Sequence, residues 1–250
     1  MIELKSFSQL DGIRKSSRIL VDILAGLRKM VKPGITTNSL DEWARKQIIA
    51  GNARCAFFGY KGFPKSICTS VNEEIVHGIP GERTLKEGDI ISIDAGVEFD
   101  GYFSDAAITV AIGCITDQAV KLVDVTRKAL SKAIEHAVLG GRVSDISCAV
   151  EECAKENGFA VIREFVGHGI GLNLHEDPQI PNFGQRGMGV RLKEGMVFAI
   201  EPMICAGKAD IEVLSDGWTA VTRDRSLSAH FEHTIAITAK GPEILTEGIE

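Results

Sequence analysis

Two aspartates lie in neighbouring apolar segments that a turn signal separates. Asp94 follows one apolar run, and Asp105 lies inside the next. Between the runs stands an Asp-Gly dipeptide at positions 100–101, which favours a two-residue hairpin turn. This turn sets Gly96 opposite Asp105, so Asp94 and Asp105 become diagonal neighbours on one face, with Cα atoms about 7–8 Å apart. Two carboxylates at that separation can bind one cation, which would offset their repulsion if they are buried.

A ten-residue segment of the chain occurs twice. Residues 85–94 and residues 192–201 are identical at five of ten positions. The offset of 107 residues aligns Asp94 with Glu201, a carboxylate with a carboxylate. The repeat therefore predicts two related halves of the chain, and it adds Glu201 to the candidate site.

A fourth acidic residue and one histidine complete the candidate cluster. Glu232 precedes an apolar segment, and His168 lies between two glycines at the end of a predicted strand. We expect Glu232 to be the counterpart of Asp105, which implies an insertion of about twenty residues near positions 215–225. Four carboxylates and one imidazole suit divalent Mn, Fe, Co or Zn and carry enough charge for two ions. Each residue taken alone also has an ordinary explanation, such as a solvated strand end.

Each half of the sequence combines helical spacing with later strand patterns. Apolar residues recur at helical spacing over 13–31 and 119–137, and Thr37 and Ser144 are expected to cap the helices that follow. The patterns predict further helices over 37–51 and 144–158, and strands over 90–99, 102–112, 160–166, 196–200, 218–222 and 233–238.

The order of these elements is typical of an α+β fold. Helices precede strands within each half, so we expect helices on one face of a mainly antiparallel sheet. We predict a single domain over residues 1–250, with related halves at about 10–112 and 117–240. A crevice between two related halves is a common place for a ligand.

Composition excludes several classes of function. The 250 residues have a formal net charge of −6 and no run of Lys or Arg longer than two, so no nucleic-acid or membrane surface is expected. No apolar run approaches the roughly 18–20 residues of a membrane-spanning helix, and the first residues lack the apolar segment of a signal peptide. Six cysteines without a CxxC pair indicate reduced thiols. We therefore expect a cytoplasmic protein, and a monomer.

Several short motifs together carry a family resemblance. They contain the candidate residues: FPKSICTSVNE at 63–73, VHGIP at 76–80, GHGIG at 167–171, IEP at 200–202 and FEHT at 231–234. With them the chain resembles the type I methionine aminopeptidases of the pita-bread metallopeptidases, family M24, over almost its whole length. The resemblance implies a pita-bread fold with pseudo-twofold duplicated halves, and an enzyme that removes the initiator methionine when the second residue is small.

The resemblance also implies a role for each polar candidate. It implies five ligands for two divalent ions: Asp94 to one ion, Asp105 and Glu232 bridging both, and His168 and Glu201 to the second. His77 and His175 would contact the substrate. A hydroxide between the ions would attack the first peptide bond, with Glu201 accepting the proton of water, His175 stabilising the oxyanion and His77 donating a hydrogen bond. Two local explanations stay open, since His77 could order a turn and His175 could pair with Glu176.

An apolar pocket for the methionine side chain follows from the same resemblance. Its implied walls are Tyr60, Phe63, Cys68 and Trp218. Aromatic edges favour a thioether contact by about 0.3–1.5 kcal/mol. The sequence departs from the residues common in the family at three places: Phe57 stands where Cys is common, Phe63 where Tyr is common and Leu174 where Phe is common. These changes leave the chemistry intact and alter the pocket's shape, although such residues could also belong to an ordinary core.

The leading interpretation is a metal-dependent aminopeptidase that acts on N-terminal peptides of nascent proteins, near the ribosome. The metal is one of Co, Mn, Fe or Zn. Two alternatives stay open. One is a pita-bread protein that has lost catalysis and only binds peptides or partners, although all five ligand positions are filled here. The other is a dipeptidase specific for X-Pro bonds.

Overall fold

The computed structural model describes residues 2–249 of the chain. Within that range there are four α-helices: α1 (Phe7–Met30), α2 (Thr37–Ala50), α3 (Asp117–Glu135) and α4 (Val143–Glu156). Each helix buries apolar residues at helical spacing along one face. In the range described, no helix is long and apolar enough to cross a lipid bilayer.

Fifteen short and long strands make up the sheets of residues 2–249. They are β1 (Arg54–Cys55), β2 (Ile67–Val71), β3 (Glu74–Val76), β4 (Ile90–Phe99), β5 (Tyr102–Ala111), β6 (Ala160–Val161), β7 (Val166–Gly169), β8 (Glu176–Pro181), β9 (Val197–Ile200), β10 (Met203–Cys205), β11 (Ile211–Val213), β12 (Ala220–Thr222), β13 (Ser228–His230), β14 (His233–Thr238) and β15 (Gly241–Ile244). A four-stranded sheet joins β1, β2 and β5 around β4, and a five-stranded sheet has the order β15-β14-β9-β7-β8. Two three-stranded sheets, β13-β10-β6 and β11-β12-β3, complete the structure.

The longest strands form the hairpin that the sequence predicts. β4 and β5 pair antiparallel over their whole length, with Gly96 opposite Asp105. The turn residues 100–101 have φ angles of 52° and 82°, as a type I′ turn requires. The predicted register is confirmed, and Asp94 and Asp105 lie on one face of the hairpin.

The second half builds its own central pair from β9 and β14. These strands are antiparallel with Ile200 opposite His233, so Glu201 and Glu232 lie just beyond the end of the ladder. β7 pairs with the other edge of β9 and brings His168 to the same end. Asp94 and Asp105 therefore lie within central strands, whereas Glu201 and Glu232 lie at the ends of central strands.

Helices cover one face of the central strands, and the acidic residues lie on the other. α1 packs on β4 and β5, while α3 packs on β9, β10 and β13. Ile93 belongs to the apolar core beneath the helices, and its neighbour Asp94 therefore points to the opposite face. One core cluster contains residues of both halves, from Leu20 to Ile249. The predicted α+β class is confirmed, and the single domain over residues 1–250 stays a prediction.

Some predicted boundaries are wrong. The N-cap of α2 is Thr36 rather than Thr37, because the Thr36 hydroxyl accepts a hydrogen bond from the Ser39 amide. α4 follows Arg142, and the Ser144 hydroxyl caps nothing but donates to a loop carbonyl at 2.6 Å. The predicted strand over 160–166 is two strands, β6 and β7, which belong to different sheets.

The two halves meet where β5 runs beside the segment 230–234. The Glu232 amide donates to the Ala107 carbonyl at 2.9 Å, and the two residues form an isolated antiparallel bridge. On one side of this bridge, the Thr109 hydroxyl accepts from the His230 amide (3.0 Å) and donates to the His230 carbonyl (2.7 Å). A side-chain hydroxyl thus takes the place of a backbone pair in the ladder.

The other side of the bridge repeats this arrangement. The Thr234 hydroxyl accepts from the Asp105 amide (3.0 Å) and donates to the Asp105 carbonyl (2.7 Å). A local twofold axis therefore relates Asp105 to His230, and Ala107 to Glu232. The expectation that Glu232 is the counterpart of Asp105 is wrong. It aligned the two halves by order along the sequence, whereas the hydrogen bonds at the junction align Glu232 with Ala107.

The insertion in the second half is correspondingly different from the prediction. Thirteen positions separate Asp94 from Ala107, and 31 separate Glu201 from Glu232, so the second half is longer by eighteen residues rather than twenty. The additional chain is not confined to 215–225. It forms the small strands β10 to β13, which pair with β6 and β3.

We expect Gly167→Ala to lower the free energy of unfolding by roughly 1–3 kcal/mol. Gly167 lies in β7, and a Cβ atom there would stand 2.4 Å from the Ala199 carbonyl oxygen. Urea denaturation monitored by circular dichroism measures the change. Gly81→Ala is the matched control, because the nearest atom to its new methyl group lies at 3.9 Å. Equal unfolding midpoints for Gly167→Ala and the unmodified protein would contradict the close packing described above.

Candidate metal centre

A cavity of about 150 Å³ opens on the face of the sheets opposite the helices. All eleven residues to which the family resemblance gives a site role line it: Tyr60, Phe63, Cys68, His77, Asp94, Asp105, His168, His175, Glu201, Trp218 and Glu232. Phe57, Lys61 and Leu174 complete the wall. The structure therefore brings the predicted residues together, and their individual roles stay predictions.

The acidic residues and one histidine form the floor of this cavity. Donor atoms of Asp105, His168 and Glu232 lie within 4.8 Å of one another, and all three residues are buried. Glu201 adjoins them, with its Oε1 atom 3.6 Å from His168 Nε2. Asp94 lies on β4 beside Asp105. Side chains from five strands or strand ends thus line one small cavity.

Three carboxylate oxygens in this floor have no hydrogen-bond partner. They are Asp94 Oδ1, Asp105 Oδ1 and Glu232 Oε1, each fully buried. A buried acceptor without a donor is costly, and a buried charge without a counter-charge is more so. Divalent cations satisfy both needs, because carboxylate oxygen and imidazole nitrogen are their ordinary ligands. The residues present therefore fit bound metal ions.

Burial determines the protonation of the cluster. It raises the pKa of Asp94 to about 7. Burial, with repulsion from neighbouring carboxylates, also raises the pKa of Asp105, Glu201 and Glu232 well above the usual range of a carboxyl group. Without cations the cluster holds protons near neutral pH, and bound cations would replace them.

The His168 ring presents its Nε2 atom to the carboxylates of the floor. Its Nδ1 atom lies 2.9 Å from the Gly169 carbonyl oxygen, which leaves Nε2 toward the carboxylates. Burial lowers the pKa of His168 to about 4, so the ring is neutral near pH 7. A metal-binding histidine commonly has its second nitrogen fixed by a carbonyl in this way.

Aromatic rings form the opposite wall of the cavity. The rings of Phe63 and Trp218 meet edge to face at 5.1 Å between centroids. Cys68 lies directly opposite Asp94 across β2 and β4, and burial raises the pKa of its thiol well above 9. The thiol is therefore uncharged, and the wall it shares with the two rings is apolar.

His175 stands at the rim, stacked between two rings. Its imidazole is 5.1 Å from the Tyr60 ring and 4.1 Å from the His168 ring, centroid to centroid. Desolvation in the cavity lowers the pKa of His175 to about 3, although one side of the residue remains exposed. The ring is neutral and can donate a hydrogen bond into the cavity.

His175 does not pair with Glu176. The Glu176 carboxylate forms a buried ion pair with Lys5 and accepts hydrogen bonds from the amides of Leu172 (2.7 Å) and Asn173 (2.9 Å). The side chain of Lys5 is 1% exposed. The loop that carries His175 is therefore anchored to the N-terminal segment, and the local explanation left open for His175 does not hold.

His77 lies across the cavity in a strained conformation. Its φ angle is 61°, in the left-handed region that side chains other than glycine seldom adopt. The ring packs edge to face on Phe165 (5.2 Å) and Trp218 (6.3 Å), and burial lowers its pKa. Such strain is often found where a side chain must point at a functional site. A turn-ordering role and a substrate contact are both compatible with this position.

Sequence reasoning missed two residues near the site. Lys61, with a φ of 48°, lies in the cavity wall beside Tyr60, and no motif drew attention to it. His230 is buried behind Glu201, its Nε2 atom 3.7 Å from Glu201 Oε2. Its position two residues before Glu232 was the available signal, because strand periodicity places both on one side of the chain.

The comparison with known families agrees with the geometry. The pattern of metallopeptidase family M24 matches residues 11–239. The chain belongs to metallopeptidase family M24. Membership in this family implies divalent metal ions, and Asp105, His168 and Glu232 form a buried cluster of donor atoms that could hold one.

Curated M24 relatives match nearly the whole chain. A methionine aminopeptidase of Clostridium perfringens is 49% identical over 246 residues, which are 98% of this chain and 99% of that protein. Methionine aminopeptidase 1 of Bacillus subtilis is 50% identical over 246 residues, with the same coverage. The family resemblance inferred from the motifs is confirmed.

Solved M24 structures confirm the pita-bread fold. The methionine aminopeptidase of Thermotoga maritima superposes with a TM-score of 0.97 at 44% identity, covering 98% of this chain and 99% of that one. A prolidase from Pyrococcus furiosus has a TM-score of 0.79 at 21% identity and covers 98% of this chain and 65% of that one. The second comparison shows that the fold is shared.

Chelation is expected to lower the melting temperature, and Mn(II) to restore it. An ion that binds only the folded state stabilises it by about 2.7 kcal/mol when present at 100 times its Kd. Differential scanning calorimetry before and after treatment with a chelator measures the effect, with metal removal verified by elemental analysis. An unchanged melting temperature after verified removal would contradict a metal site in the cavity floor.

The pH dependence of the metal-free protein has a definite sign. Burial raises the pKa of Asp94 from 3.8 to about 7, so the folded chain binds a proton that the unfolded chain releases. This contribution to stability is fully present below about pH 4 and is lost as the pH rises through about 7. We expect the melting temperature of the chelated protein to fall from pH 5 to pH 8, and less steeply in Asp105→Asn. A rise over this range would show that the carboxylates are not buried together.

Proposed function

We propose that this protein removes the N-terminal methionine from peptides by metal-dependent hydrolysis of the first peptide bond. The observation that carries the proposal is the floor of buried carboxylates and one imidazole, which faces an apolar, aromatic wall inside one small cavity. Relatives at 49–50% identity that carry the name methionine aminopeptidase support the same reaction.

The proposed cofactor is a pair of divalent ions, Co, Mn, Fe or Zn. The proposed ligands are Asp94, Asp105, His168, Glu201 and Glu232. When bound, such ions lower the pKa of water and polarise a carbonyl group. The unpartnered carboxylate oxygens and the orientation of His168 Nε2 toward Glu201 support this ligand set.

Glu201 is proposed to accept a proton as well as to bind metal. One of its oxygens faces His168, and its carboxylate borders the cavity in which the scissile bond would lie. A carboxylate at that border can accept a proton from a water molecule in the cavity.

The two remaining histidines are proposed to contact the peptide. His175 is neutral and stands at the rim beside His168, where its N–H can stabilise negative charge on the carbonyl oxygen. His77 borders the cavity next to Trp218, where it can donate a hydrogen bond near the scissile amide. Both rings are uncharged near pH 7, so they act as hydrogen-bond donors without repelling bound cations.

The apolar wall is proposed to bind the methionine side chain. Tyr60, Phe63, Cys68 and Trp218 supply aromatic edges and a neutral thiol, which suit a thioether. The cavity has room for one side chain of this size. We propose a small second residue in the substrate, because the chain beyond the first peptide bond must leave past the rim at His175.

We further propose that the substrates are nascent proteins near the ribosome, and that the protein acts in the cytoplasm as a monomer of one domain. The formal net charge of −6 and the six free thiols support a cytoplasmic enzyme without nucleic acid as its ligand.

Hydrolysis of Met-Ala-Ser in the presence of Mn(II) or Co(II), and its loss with chelator, tests the proposed reaction. Met-Leu-Ser is expected to be cleaved more slowly because its second residue is larger. Ala-Pro is the discriminating substrate, since its preferential cleavage would identify a dipeptidase for X-Pro bonds. Absence of metal-dependent release of methionine would favour a protein that only binds peptides.

His175→Ala is expected to lower kcat for Met-Ala-Ser by about 10²–10³-fold, because one donor to the developing oxyanion is lost. The KM is expected to change by less, since Phe63, Cys68 and Trp218 of the proposed methionine pocket keep their side chains. His136→Ala is the matched control, because His136 follows α3 outside the cavity. Similar kcat values for the two variants would remove His175 from the reaction.

A further inference from the structure

His230 is a buried histidine that no step of the proposed reaction uses. It ends β13, is 1% exposed and lies two residues before Glu232. Its backbone is held on both sides by the Thr109 hydroxyl, which in turn lies 2.8 Å from the Ser92 hydroxyl on β4. The position of the His230 backbone is therefore fixed to the central hairpin.

The imidazole of His230 has an unsatisfied nitrogen. Its Nε2 atom is fully buried and has no hydrogen-bond partner. The Glu201 carboxylate is close, with Oε2 at 3.7 Å, which is about 0.7 Å longer than an ordinary N–H···O bond. The other oxygen of Glu201, Oε1, faces His168. Glu201 thus stands between two imidazoles, one on each of its oxygens.

The local twofold axis gives this arrangement a counterpart in the first half. His230 occupies the place of Asp105, and Glu201 occupies the place of Asp94 in the repeat. In the first half two carboxylates face each other, whereas in the second half a carboxylate faces an imidazole. At equivalent positions, the second half therefore has His230, which can donate a hydrogen bond, and the first half has Asp105, whose carboxylate accepts one.

We propose that His230 is a positioning residue for Glu201, whose Oε2 atom accepts a hydrogen bond from His230 Nε2–H when the carboxylate binds metal. A neutral imidazole carries one N–H, and a carboxylate accepts at either oxygen. This bond holds Glu201 from behind, so that Oε1 is presented to the cavity. The inference rests on the proposed role of Glu201 as a ligand.

Direct ligation by His230 is the competing possibility. His230 does not line the cavity, whereas all five proposed ligands line its floor. Glu201 stands between the imidazole and that floor. The geometry therefore favours a role behind the ligand, where partners of metal-bound carboxylates are commonly found.

Two substitutions separate donation from packing. His230→Gln retains an N–H donor, and His230→Leu has none. Met203→Leu is the matched control, because Met203 pairs with His230 across β10 and β13 and the exchange conserves volume. Mn(II) affinity is measured by isothermal titration calorimetry on chelator-treated protein, without peptide. Kinetics with Met-Ala-Ser then separate kcat from KM.

His230→Leu is expected to weaken Mn(II) binding by about 10–100-fold and to lower kcat, with KM changed by less than about threefold. His230→Gln and Met203→Leu are expected to bind Mn(II) within about threefold of the unmodified protein. Wild-type Mn(II) affinity in His230→Leu would overturn the proposal. If the unmodified protein itself binds no Mn(II), the proposed function fails rather than the role of His230 alone.

Nuclear magnetic resonance of the unmodified protein gives a test that needs no variant. With ¹⁵N-labelled histidine and Zn(II), a diamagnetic ion, His230 Nε2 is expected to carry a slowly exchanging proton. An unprotonated Nε2 with the chemical shift of a metal-bound nitrogen would overturn the proposal in favour of direct ligation. A matching observation comes from the visible spectrum of the Co(II) protein, which is expected to be the same in His230→Gln.

Discussion

Repulsion among buried carboxylates is the constraint on which this structure depends. Four acidic side chains converge in one small volume, and three of their oxygens have no donor within reach. Protons or cations must therefore be present whenever the chain is folded. The helices on the far face supply the apolar burial that holds the strands in place against this repulsion. The same strands therefore bear the apolar core on one face and the acidic floor on the other, because successive side chains such as Ile93 and Asp94 point to opposite faces.

The junction between the halves determines which residues reach the floor. At Ala107 and Glu232 the two halves share only a short ladder, and a threonine hydroxyl replaces backbone pairing on either side. Thr109 and Thr234 hold the strands in register without closing them into one continuous sheet. Glu232 reaches the first half across this junction, so neither half contains the site by itself.

The sequence predicted those parts of the site that depend on local chemistry. An Asp-Gly turn and period-two alternation are sufficient to place Asp94 beside Asp105, and the structure has that register. The repeat related Glu201 to Asp94, and the motifs identified the family. The sequence could not show that His230 lies behind Glu201, because that contact depends on the register of β13 against β5, which no turn or repeat determines. Counting along the chain also paired Glu232 with the wrong residue, since register across a junction is independent of sequence offset.

The ion pair of Lys5 with Glu176 joins positions 171 residues apart. It closes about two thirds of the 250 residues into a ring beside the cavity, so the segment before α1 holds a loop of the second half in place. Loss of the Lys5 side chain would consequently be transmitted to the loop of His175, because the Glu176 carboxylate would be left in the interior without its cation.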